Sequence, residues 1–194
     1  MSVLVANPLP AASAHVARAL RPGHVYRRED LAPLSTAVDR HLQELVSAGR
    51  LTTLARGLYY APRESAFGVV PPADEELVAA FLKDRDFLLF SPSAYNAAGL
   101  GTTQLYNRKR HGVFTLGSRQ YDFRVKPRFP RRLSDEFLFV DALNNLGELA
   151  EDEAAVLARA RRRAREMDGT KLKRALEQFG LVATRKRVMG WLDA

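Results

Sequence analysis

Between residues 35 and 49 the apolar positions recur at the helical period. Val38, Leu42, Leu45 and Val46 stand at i, i+4, i+7 and i+8, the spacing of one buried stripe. Ser35 fits an N-cap, its hydroxyl accepting an orphan backbone N–H, and Gly49 supplies a left-handed stop. Upstream, Val16 and Leu20 mark a helix over 11–20 that Arg21-Pro22-Gly23 closes. Residues 24–26 read as a short strand, and 28–33 as a short helix anchored by Leu31 and Leu34. Downstream, Leu51-Thr52-Thr53-Leu54 and Leu58-Tyr59-Tyr60-Ala61 are β-rich runs around the turn Ala55-Arg56-Gly57. This order predicts a winged helix-turn-helix whose third helix is presented to the major groove.

Beyond Pro62 the pattern changes. Residues 68–72 read as a linker, 74–83 as a helix and 87–90 as a buried strand. Ser91-Pro92-Ser93 caps a helix through Ala98, broken at Gly99 and Gly101. Two strands, 112–116 and 119–126, join around Gly117-Ser118. After Pro127 and Pro130 the pattern is helical, over 134–145, 151–167, 171–179 and 184–192. The expected fold is α+β, with a winged helix-turn-helix over 1–66 and a mixed α/β and helical domain over 67–194.

The 194 residues are 46% apolar and 27% charged, which is globular composition. No apolar run reaches a membrane span, and the start lacks the basic n-region of a secretory signal, so a cytoplasmic protein is expected. Without Cys there is no disulfide framework, thiolate nucleophile or Cys-ligated metal. His15, His24, His41 and His111 form no metal-binding spacing, and no phosphate loop, nucleophile elbow or dinucleotide fingerprint occurs. Asp84 and Asp86 are the only D-x-D pair near Gly117-Ser118, but they precede it, at a helix–strand junction. No enzyme activity, cofactor or metal is therefore expected.

Charge redirects attention to polyanions. The net charge of +8 is distributed in alternating blocks. Residues 105–132 carry 9 basic and 1 acidic side chains, 133–158 carry 7 acidic and none basic, and 159–194 carry 11 basic and 4 acidic. On the third helix the outward positions are Ser35, Thr36, Asp39, Arg40, Gln43, Glu44 and Ser47. Arg40 is suited to guanine, Gln43 to adenine, and Ser35 or Thr36 to phosphate or base. Asp39 either pairs with Arg40 or accepts from cytosine. Arg56 at the hairpin tip suits the minor groove or phosphate, and Arg28 suits backbone phosphate.

The block 105–132 interleaves Arg108, Lys109, Arg110, Arg124 and Lys126 with aromatic residues, which offers a second nucleic-acid surface of the RNA-binding kind. A sheet with an aromatic inner face, Phe114 with Leu116 and Tyr121 with Phe123 and Val125, explains the same pattern. Arg159–Arg165 and the helices behind it offer a docking surface for an acidic partner protein.

Three stretches carry a family resemblance: Ser35-Thr36-Ala37-Val38-Asp39-Arg40-His41-Leu42-Gln43-Glu44-Leu45, Gly49-Arg50-Leu51, and Arg56-Gly57-Leu58-Tyr59-Tyr60-Ala61-Pro62. Together they resemble the N-terminal winged helix of AbiEi-type antitoxins. Behind them, Ser93–Gln104 is similar to that family's Ala-x-x-x-x-Gly-Leu-Thr-Thr-Gln signature, here with Leu-Gly-Thr-Thr-Gln. The resemblance covers about residues 11–130. It implies the antitoxin of a type IV toxin–antitoxin, abortive-infection system. Such a protein represses its own promoter, its partner being double-stranded DNA, and counteracts a nucleotidyltransferase toxin encoded nearby. It implies DNA contacts for Ser35, Thr36, Arg40, Gln43 and Arg56.

Overall fold

The computed structural model describes residues 11–90, 102–148 and 152–193. It is an α+β chain of two compact units, residues 1–125 and 126–194.

The first unit opens with α1 (Ala11–Ala19), β1 (Val25–Arg27), α2 (Arg28–Leu31), a 3-10 turn over Ala32–Leu34 and α3 (Val38–Ser47). The hairpin of β2 (Thr52–Ala55) and β3 (Leu58–Tyr60) completes a three-stranded antiparallel sheet in the order β1-β3-β2. The predicted stripe of α3 is buried: Val38, Leu42 and Leu45 join Val16, Leu31, Leu51 and Ala61 in one core, with Val46 packed against it. His41 shares that buried face.

The small sheet has apolar residues on both faces. Tyr26 and Tyr59 pack on the first core, while their strand neighbours Val25 and Leu58 point the other way, as the period-two alternation of strands requires. There Leu58 meets Leu77, Val78 and Leu82 of α4 (Asp74–Leu82), together with Leu105, Leu116, Tyr121 and Phe123. Those last four come from a second sheet built of β6 (Phe87–Leu89), β7 (Thr102–Asn107), β8 (Gly112–Leu116) and β9 (Arg119–Val125). Its order is β6-β7-β9-β8, antiparallel except for the parallel pair β7–β9. A backbone hydrogen bond also joins the two sheets. The Gly117 N–H donates to the Leu54 carbonyl at 2.7 Å, where a Cβ would sit 3.0 Å from the Leu54 side chain and φ is +64°. Glycine suits both constraints.

Several expectations change. Ser35 is not the N-cap of α3: the helix begins at Val38, with Ala37 at the cap position. Residues 63–70, read as leading into a linker, form a further hairpin, β4 (Arg63–Ser65) with β5 (Gly68–Val70), tied down by the Tyr60 hydroxyl donating to the Val70 carbonyl. The expected domain division at 66/67 falls at the tip of this hairpin, inside the first compact unit. Strand β7 was not anticipated, because Thr102-Thr103-Gln104 lies next to the two glycines that read as a break. The predicted helix over 93–98 lies outside the described residues. On β9 Tyr121 and Phe123 are buried as expected, but Val125 at the strand end is exposed.

The second unit holds α5 (Asp135–Asn144), α6 (Glu153–Glu166), α7 (Gly169–Phe179) and α8 (Val182–Leu192). Val140, Leu143, Ala164, Leu172, Leu176 and Val188 form its core. Three of the helices are capped by side chains: Ser134, Asp152 and Asp168 each accept from first-turn backbone N–H groups. No helix among the described residues is long and apolar enough to cross a membrane.

One half-buried polar cluster ties α4 to β9. Asp74 Oδ1 accepts from both the Tyr121 hydroxyl and the Arg119 guanidinium, which also reaches the Pro72 carbonyl at 3.2 Å. Burial, and then the Asp74 carboxylate, push ionisation of Tyr121 far above the ordinary phenol range. A raised folded-state pKa gives stability that is complete below the unfolded value and is lost as pH rises through it. Tyr121→Phe is therefore expected to cost about 1–3 kcal/mol at neutral pH. It is also expected to make the loss of stability above about pH 10 shallower than in the wild type. Urea unfolding at neutral and alkaline pH checks both, and an unchanged alkaline slope would count against the linkage.

Candidate nucleic-acid interface

The exposed side of α3 and the residues just before it carry Thr36, Asp39, Arg40, Gln43 and Ser47. Arg40 and Gln43 are three apart and so share a face. The Arg40 side chain is 68% exposed, with Glu44 Oε1 3.7 Å from its Nε, a loose pair that leaves the guanidinium in solvent.

Two sequence-predicted residues are already engaged. The Ser35 hydroxyl turns inward, accepting from the Ala37 N–H at 3.0 Å and lying 2.7 Å from His41 Nδ1. It shapes the turn into α3 and is not presented to a groove. Arg28 makes a bidentate pair with Asp39, at 2.6 and 2.7 Å. This settles the open question about Asp39: its partner is Arg28, eleven residues upstream, not the adjacent Arg40. The Arg28 hydrogen bond also holds the Asp39 carboxyl below its usual range, so it stays ionised and neutralised.

Arg56 is exposed at the tip of the β2–β3 hairpin. Gly57 beside it has φ +71°, and its carbonyl accepts from the Arg28 N–H at 2.9 Å. That bond fixes the tip to the start of α2. Arg27 and Lys83 both reach Glu29, each at 2.6 Å. These groups surround a hollow of about 520 Å³ that Arg110, Phe81, Phe114 and Leu116 also line.

Most of the expected second surface is internally compensated. Arg108 pairs with Asp86 at 3.2 Å, Lys109 with Asp84 at 2.9 Å, and Arg124 with Asp122 at 2.9 Å. Lys126, in the second unit, donates to Asn145 Oδ1 at 3.1 Å. The D-x-D aspartates thus serve as counter-ions, and the Lys109 hydrogen bond holds Asp84 below its usual range. Tyr106, Tyr121 and Phe123 are buried, so their faces are closed to stacking on bases. Arg110 differs from its neighbours: its guanidinium lies 4.7 Å from the Phe81 ring centroid.

Sequence reasoning missed Asn107, which is 1% exposed and holds the loop that aims Arg110. Its Oδ1 accepts from the Lys109 and Arg110 N–H groups at 2.8 and 2.6 Å, while its Nδ2 donates to the Arg110 carbonyl at 2.8 Å. An Asn opening a polar run between two strands is the sequence signal for such a turn.

No family model matches the chain, and no curated protein matches it. Among solved structures, this chain is similar to the RV2827C protein from Mycobacterium tuberculosis. The two superpose with a TM-score of 0.57 over 97% of this chain and 78% of the other, at 19% identity. At that identity the likeness is one of fold.

Proposed function

We propose that this protein is a DNA-binding transcriptional regulator of the antitoxin type, without catalytic activity. In this reading residues 11–61 act as a winged helix-turn-helix. Helix α3 enters the major groove, and the β2–β3 hairpin is the wing. The observation that carries it is the outward face of α3 and the residues just before it, where Thr36, Arg40 and Gln43 are exposed, Asp39 is paired with Arg28, and the half-buried Glu44 lies 3.7 Å from Arg40. Arg56 at the fixed hairpin tip supplies a second cation on another element.

The antitoxin part rests on the sequence resemblance, which points to repression of the protein's own promoter and a nucleotidyltransferase toxin as the target. A second reading has its own support. The exposed Arg161, Arg162 and Arg165 of α6 and Arg185, Lys186 and Arg187 of α8 give the second unit a basic surface that suits an acidic protein partner. An RNA-binding role for block 105–132 has less support, since Tyr106, Tyr121 and Phe123 are buried and Arg108, Lys109, Arg119 and Arg124 are paired with carboxylates.

The test is binding of the full chain to its own upstream duplex, with a scrambled duplex and an RNA of equal length as competitors. Arg40→Ala is expected to lose about 1–3 kcal/mol on the preferred duplex and little on the scrambled one. Arg56→Ala is expected to weaken both alike. Unchanged sequence preference in Arg40→Ala would remove α3 as the reading helix.

A further inference from the structure

The hollow beside the hairpin tip has a composition the DNA reading does not require. Five cations line it (Arg27, Arg28, Arg56, Lys83 and Arg110) against one carboxylate, Glu29. Three of the five are spoken for: Arg27 and Lys83 by Glu29, and Arg28 by Asp39. Among the described residues Arg56 and Arg110 face the hollow with no carboxylate paired to them.

The floor is apolar. Phe81 and Phe114 pack with ring centroids 5.1 Å apart, and Leu58 and Leu116 continue the surface. Arg110 lies over Phe81, and both line the hollow. The Arg110 backbone is fixed by two hydrogen bonds to the buried Asn107 side chain, which also accepts from the Lys109 N–H. Such a guanidinium is pre-positioned: it can take a flat ring against its face or an anion on its edge.

The volume, about 520 Å³, lies in the usual small-molecule range. A ligand fitting this hollow joins a compact anion to a flat, partly apolar group. A phosphomonoester carries about −1.5 to −2 charges, which two unneutralised guanidiniums match. We propose that the hollow is a binding site for a free mononucleotide, with Arg56 and Arg110 receiving the phosphate and the base lying against the Phe81–Phe114 floor. This goes beyond DNA binding and does not depend on it.

The test is calorimetric titration of the full chain, without DNA, with adenosine 5′-monophosphate and uridine 5′-monophosphate. Adenosine and inorganic phosphate serve as the separated halves. Saturable binding of at least one nucleotide is expected, with its nucleoside or phosphate half at least about tenfold weaker. Arg110→Ala is expected to weaken nucleotide binding by about tenfold or more. Arg110→Lys should restore part of it, because charge returns without the planar face. Arg85→Ala, an exposed cation outside this hollow, should change nothing. Arg110 is exposed, so its variants should keep the wild-type melting transition, and a thermal melt checks this. Absence of saturable binding, inorganic phosphate binding as tightly as the nucleotides, or full affinity in a folded Arg110→Ala would each overturn the proposal. Because no DNA is present, loss of the DNA reading would leave this result standing, and the reverse also holds.

Discussion

Raising salt from 50 to 200 mM is expected to weaken binding of the preferred duplex by up to on the order of 10³-fold. The bound follows from which cations are available. Of the eight Lys and Arg residues before position 64, Arg27 and Arg28 are committed to Glu29 and Asp39. The exposed remainder is Arg18, Arg21, Arg40, Arg50, Arg56 and Arg63. Each phosphate neutralised is worth about 3.5-fold over this salt range, so six contacts set the ceiling and three would give about 40-fold. A plot of log affinity against log salt measures the number directly. Its slope is expected to lie between about −3 and −5, and to become shallower by about 1 in Arg56→Ala. A slope near zero would mean that this face does not meet phosphate. A slope much steeper than −6 would mean that cations beyond residue 63 take part, and Arg161, Arg162 and Arg165 of α6 would be the next to substitute.

What could be read from the sequence, and what could not, divides along a physical line. The α3 stripe, the β2–β3 hairpin and the Tyr121/Phe123 inner face were legible, because burial imposes a period on neighbouring residues. Charge partners were not. Arg28 finds Asp39 eleven residues on, Lys109 finds Asp84 twenty-five residues back, and Arg110 settles over Phe81. No period records such pairs, so a basic block that looked free in one dimension has Arg108, Lys109, Arg119 and Arg124 paired with carboxylates in three. Ser35 shows the same ambiguity on a smaller scale. A serine before a helix looks the same whether its hydroxyl caps the helix or bonds a buried histidine, and here it does the latter. Strand β7 was lost for a different reason. It lies between β6 and β9, and the two glycines before it had read as a break.

Residues 1–66 alone are expected not to fold, although they contain every element of the DNA-binding reading. The cause is the second face of the small sheet. Cut at 66, the chain loses α4 and the four-stranded sheet, and Leu58, now 3% exposed, returns to water with Val25, Leu54 and Ala55 around it. Re-exposing one such leucine costs about 1.5–3 kcal/mol, and the half-buried neighbours add to it. Tyr60 also loses its acceptor at Val70, and Leu54 loses the Gly117 N–H. A unit of this length buries only about 60% of its unfolded surface and has little stability to spare, so losses of this size exceed it. Circular dichroism of the fragment should show no cooperative melt, while the full chain melts cooperatively. Leu58→Ala in the full chain should cost about 2–5 kcal/mol and loosen the first unit as a whole, because that side chain joins the small sheet to the larger one. A fragment 1–66 with a sharp transition near that of the full chain would show that the first core suffices. The second face of the small sheet would then be a docking contact between two independently stable parts.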